Sequence, residues 1–124
     1  MKKIKLHIVF AIMFLAISAC ERENDKNPML IGKWQGVEWL AFGKPSGNDA
    51  NQVHFEFKAD GNYTAGFGSQ QESGTWRTVN DKLYTTASDR KEIMVKILEL
   101  DSTVLKFEMN RGGQQETMKL NRVQ

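Results

Sequence analysis

The chain has 124 residues, with 17 Lys and Arg against 15 Asp and Glu, which suits one domain with one modest core. Lys2, Lys3 and Lys5 lie at the extreme N-terminus, so residues 20–124 carry 14 basic and 15 acidic side chains. That balance lacks the basic patch of a nucleic-acid reader, and a single cysteine with one histidine beyond residue 19 excludes a disulfide and a clustered metal site.

The three lysines precede a wholly apolar stretch, Ile8 to Ile17, and then Ser18, Ala19 and Cys20. A membrane-spanning helix needs about 20 apolar residues, so the run has the length of a secretory leader instead. Ile17-Ser18-Ala19-Cys20 resembles a bacterial lipobox. The resemblance implies a signal peptide over 1–19 and lipidation of Cys20 by a diacylglyceryl group and an amide-linked chain such as palmitate. It also implies a place in the bacterial cell envelope, anchored to the outer membrane on its periplasmic or surface face. Two or more acyl chains make such an anchor stable. The other reading is a secreted protein with one free thiol, for which Ile17 is too large three positions before the cut.

Glu21 to Asn27 is entirely polar and mostly charged, so residues 20–28 read as a solvated tether. Its acidic residues also resemble a surface-export signal of some Gram-negative lineages. Asn27-Pro28 predicts an N-cap followed by Pro at the first helical position, with one short turn to Ile31. Residues 29–124 then form the folded domain.

From there the apolar pattern has period two. Lys33 to Ala41 is the first strand. Gln52 to Ala59 is the clearest, with Val53, Phe55 and Phe57 on one face and His54, Glu56 and Lys58 on the other. Asp60-Gly61 supplies a turn. Asn62 to Phe67 alternates through Tyr63, Ala65 and Phe67, and the run around Gly74, Trp76 and Thr78 follows a loop at Gly68 to Glu72. Leu83 to Ala87 comes next. Glu92 to Leu100 is more continuously apolar and fits a helix by periodicity, but its Ile and Val favour a strand. Val104 to Asn110 and Glu116 to Val123 complete eight strands joined mostly by short turns. Eight such strands expose two edges unless they close, so the expected fold is all-β, a small eight-stranded antiparallel up-and-down barrel behind a short helical turn.

Gly32-Lys33-Trp34 after that turn resembles the G-x-W opening of lipocalins and related calycin barrels. Phe57 to Tyr63, followed by Gly74-Thr75-Trp76, resembles the small lipocalin-like domains of many bacterial lipoproteins. The resemblance spans about residues 30 to 122. It implies that Trp34 plugs the closed barrel end, with Arg122 packed over it; the alternative for Arg122 is a solvated terminal residue. The longest loop, Phe42 to Asn51, corresponds to the loop covering the lipocalin mouth, or is an ordinary surface loop. The T-D-Y motif and long C-terminal helix of the larger lipocalins are missing, which weakens any transfer of ligand chemistry.

An eight-stranded interior holds side chains or one small ligand. The expected function is non-catalytic binding of a small apolar or amphipathic ligand at the open end. Trp39, Phe42, Phe55, Phe57, Tyr63, Phe67, Trp76 and Phe107 are the candidate binding residues, although most such aromatics serve as core. The alternative is a protein-binding module, a hydrolase inhibitor or envelope scaffold with a filled barrel, using Trp39 and Phe42 as a patch. No nucleophile–base pair suggests catalysis. His54 belongs to a polar strand face, as do Glu56 and Glu108, and no cofactor or metal is implied.

Overall fold

The computed structural model describes residues 24–124; the expected leader and Cys20 lie outside them. Eight long strands close into one barrel: β1 (Gly32–Ala41), β2 (Val53–Phe57), β3 (Asn62–Phe67), β4 (Gln70–Val79), β5 (Lys82–Ala87), β6 (Ile93–Leu100), β7 (Val104–Arg111) and β8 (Gln114–Arg122). Each pairs antiparallel with its sequence neighbour, β1 with β2 across their wider connection included, and β8 returns to pair with β1. No barrel edge is left open, as the alternating sequence pattern and short turns require.

Two-residue strands add to this frame. Asn24–Asp25 pairs with Val79 and Thr78 at the end of β4. Lys44–Pro45 folds back on Leu40 and Ala41. The expected helical turn is a 3₁₀ turn at Pro28–Leu30, with the Asn27 side chain accepting from Met29 N at 3.0 Å.

Trp34 fills the closed end. Its ring is fully buried, and its Nε1 donates to Leu30 O at 2.9 Å. Leu30, Leu105 and Leu120 are equally buried, and Phe57 meets Trp76 edge-on at 5.4 Å. Full burial of a Leu or Phe side chain contributes about 1.5–3 kcal/mol, so this end carries much of the stability. Arg122 packs over the Trp34 ring at 4.3 Å and is not a solvated terminal residue. Gly32 at φ +136° makes room for it, because a Cβ there would collide with Arg122 Nη1.

Two bulges break strict alternation. Register shifts between Lys119 and Leu120 leave Val37 as an extra residue on β1. Gly36 and Trp39 therefore share the inner face although three positions apart. A second bulge, at Leu98 between Ile97 and Glu99, puts Ile97 and Leu100 on one face of β6. This accounts for the nearly continuous apolar run, which is a strand: Val95, Ile97 and Leu100 pack against the core, while Ile93, Met94 and Leu98 are exposed.

The expected loop at Gly68 to Glu72 is shorter in the structure. β4 starts at Gln70 and pairs with Phe67 across a tight turn at Gly68. Residues 70–73 rise past the apolar core, so no hydrophobic alternation marks them as strand.

Candidate functional site

Inward residues pack the closed half of the barrel and leave the open half hollow. A cavity of about 460 Å³ remains there. β1, β2, β3 and β8 contribute Trp39, Val53, Phe55, Phe67 and Met118 to its lining, and β5, β6 and β7 contribute Leu83, Ile93, Val95, Phe107 and Met109. Phe55 continues the aromatic stack of the core, 5.6 Å from Phe57 and edge-on to Phe107 at 6.0 Å. Ile93, Met94 and Phe67 are the exposed apolar residues of the lining.

Polar groups stand at the rim in two matched sets. Glu72 accepts from Tyr63 Oη at 2.6 Å and lies 3.6 Å from Arg90 Nη1. Glu116, almost fully buried, accepts from Trp39 Nε1 at 2.5 Å, from Gln114 Nε2 at 3.1 Å and from Arg111 Nη1 at 3.4 Å. Both carboxylates lie in phase with inward apolar residues, Glu72 with Gly74 and Trp76, Glu116 with Met118 and Leu120. The strand period turns them inward and the donors beneath offset their desolvation. Burial first, and then the Glu72 hydrogen bond and charge, push the Tyr63 phenol well above its ordinary range. The phenol thus stays protonated and donates to Glu72.

Arg90 projects from the β5–β6 loop, which is held twice. Outside the barrel Arg77 grips Glu92 through two hydrogen bonds, at 3.0 and 3.2 Å, and its guanidinium lies 4.0 Å over Tyr84. Inside, Arg90 faces Glu72. Because β4 overhangs the end of β5, a polar notch of about 340 Å³ opens beside the mouth, bordered by Glu72, Ser73, Ser88 and Arg90.

The expected binding residues divide. Trp39, Phe55, Phe67 and Phe107 line the cavity; Phe57, Tyr63 and Trp76 lie below it in the core and do not. Trp76 Nε1 donates to Lys58 O at 2.9 Å at the closed end. Phe42 is 67 % exposed and also outside the lining. With Gly43 it forms a two-residue turn, both at positive φ (52° and 76°). That turn folds the 42–51 loop back along β1, where Ser46 N donates to Trp39 O at 3.0 Å. No residue of the loop lines the cavity, so it does not lie over the mouth as a lid. Since Trp39 turns inward at the bulge, Trp39 and Phe42 form no common patch.

His54 stays on the outer face, its ring over Gly66. Among the described residues no three His, Cys, Asp or Glu side chains converge as metal ligands. Glu72, Arg90, Arg111 and Glu116 are site residues that sequence reasoning missed. For the two carboxylates a signal existed, since extending the period of each strand two residues beyond its apolar run turns them inward.

A family model described as a lipocalin-like domain matches residues 30–107. Among solved structures, an uncharacterized protein from Bacteroides eggerthii aligns with TM-score 0.60 at 15% identity, covering 76% of this chain and 99% of its own. A lipocalin-like protein from Bacteroides uniformis aligns with TM-score 0.56 at 16% identity, covering 76% and 97%. At that identity the likeness is one of fold. No curated protein matches the chain.

Proposed function

The chain belongs to the lipocalin-like domain family, and from that premise we propose a non-catalytic envelope lipoprotein that captures a small apolar or amphipathic molecule in the open barrel end. The observation that carries this reading is the cavity of about 460 Å³ with apolar walls and a few polar rim groups. Ligand sites commonly measure about 300–1,000 Å³ with that distribution of polarity. Binding needs no lid here, because the 42–51 loop is folded back and the mouth is open to an entering chain.

Lipidation of Cys20 is part of the same proposal and rests on the Ile17-Ser18-Ala19-Cys20 sequence. The protein-binding alternative has less support: it needs a filled barrel and a shared Trp39–Phe42 patch.

Titration with the neutral fluorophore N-phenylnaphthylamine tests the binding reading. Saturable binding of one molecule per chain is expected. Val95→Phe, which narrows the cavity from a half-buried wall position, should weaken it at least about tenfold, the effect of losing 1.4 kcal/mol. Binding that is absent, or indifferent to Val95→Phe, would overturn the reading. Metabolic labelling with palmitate tests the anchor: label should enter the wild-type chain and vanish with Cys20→Ala.

A further inference from the structure

We infer that the ligand is an amphiphile with an anionic headgroup, held by Arg90 and Arg111 at the rim while its apolar chain fills the cavity. The inference rests on the binding reading above and adds the charge of the ligand. It follows from which hydrogen-bonding groups at the mouth are already engaged.

All four carboxylate oxygens are occupied. Glu72 Oε2 takes the Tyr63 hydroxyl and Oε1 faces Arg90; Glu116 Oε1 takes Trp39 and Arg111, and Oε2 takes Gln114. A ligand ammonium would have to share these oxygens with the donors already in place, and it would meet two guanidiniums of its own sign. The guanidiniums are differently placed. Each meets its carboxylate through Nη1 alone, at 3.6 and 3.4 Å, with side-chain exposures of 71 % and 55 %. A guanidinium has five N–H donors in a planar fork, so most donors of both are left over by the carboxylates, on side chains that line the cavity. The buried Glu116 and the half-buried Glu72 are the anchor points of the two forks. Arg111 also lies 5.6 Å from the Trp39 ring centre, which restricts its motion.

Both arginines border the same cavity as Phe55, Phe107 and Met109. A chain entering apolar end first therefore leaves its head between them. Carboxylate and phosphate monoester share the needed chemistry, acceptor oxygens able to take a bidentate guanidinium.

Competition against N-phenylnaphthylamine compares dodecanoate, dodecyl phosphate, dodecanol and dodecylamine on the intact protein. Either or both anions should bind at least about tenfold more tightly than dodecanol, as charge-assisted hydrogen bonds require, and dodecylamine should bind no better than dodecanol. Preference for only one anion names the headgroup. The anion preference should shrink with added salt. Arg90→Gln with Arg111→Gln should abolish it while leaving dodecanol within about twofold, and Lys33→Gln at the far end should change neither. Arg111→Lys covers the case in which the double variant unfolds: it should lose most of the preference by losing the fork. Equal binding of acid and alcohol, or tightest binding of the amine, overturns the inference and leaves the cavity reading standing. Failure of the neutral fluorophore to bind overturns both.

Discussion

The Arg122 guanidinium lies 4.3 Å over the Trp34 ring and at the same time donates to three backbone carbonyls, Met29, Ile31 and Ser102, at 2.5–2.7 Å. One side chain on the last strand thus ties together the N-terminal turn, the first strand and the β6–β7 turn. Its stacking term should be separable from its hydrogen bonds. Arg122→Ala and Trp34→Phe should show a coupling of about 0.5–2 kcal/mol in a double-mutant cycle. Denaturant unfolding of the four proteins measures it, and additive costs would show that the stacked geometry contributes nothing.

Val37 is the extra residue that turns Trp39 inward. Deleting it removes the bulge and leaves Trp39 two positions after Gly36, so strict alternation keeps Trp39 on the inner face, opposite Met118. Tryptophan emission should then keep its wild-type maximum, and N-phenylnaphthylamine binding should persist. Val37→Ala keeps the bulge and should stay within about 0.5 kcal/mol of wild type. A red-shifted emission on deletion would show that β1 slips its register against β8.

Tyr63→Phe removes the donor beneath Glu72 without changing the packed ring. The expected cost at neutral pH is about 1.5 kcal/mol, the lower range for a hydrogen bond to a charged group. Its pH dependence has a fixed sign. The folded phenol titrates above the ordinary value of 10.0, so its contribution is full below that pH and is lost as pH rises through the folded value. The stability gap between wild type and Tyr63→Phe should therefore narrow in alkali. A gap that widens there would contradict the assignment of Tyr63 as donor.

Asp101 sets the β6–β7 turn by accepting from Thr103 N, Val104 N and Thr103 Oγ1 at 2.8–3.0 Å. The Thr103 backbone hydrogen bond, then that of Val104, holds its carboxyl below the ordinary 3.8. The stability it adds is present above that pH and disappears as pH falls through the folded value. Asp101→Ala should be less stable than wild type at neutral pH, and the difference should shrink in acid below 3.8. Urea midpoints across that range decide it; a constant difference would assign the effect to turn propensity instead.

The barrel was legible wherever one face of a strand is apolar along its length. Phe55, Phe57, Tyr63 and Trp76 announce their strands and their shared interior. Residues 70–73 were not legible, because they rise above the core and have no apolar partner to face. Trp39 was expected among the binding residues and lines the cavity, but its separation from Phe42 was not legible: a bulge is one unpaired residue in a register, and the identity of Val37 carries no mark of it. Arg90 and Arg111 flank turns, where charge is ordinary. Their role depends on two carboxylates on other strands, a relation across the barrel that local spacing does not contain.

The pairing of Asn24–Asp25 with the end of β4 fixes where the chain leaves the barrel: beside Trp34, at the end opposite the mouth. If Cys20 bears the lipid, only Glu21 to Glu23 intervene, and four peptide links span at most about 14 Å. The ten residues of β1 alone extend further than that. The leash is too short for the barrel to bend its mouth down to the lipid that holds it. Cargo would have to arrive from the aqueous side, so supply would be set by its solubility or by a second protein that hands it over, and not by diffusion within the anchoring leaflet.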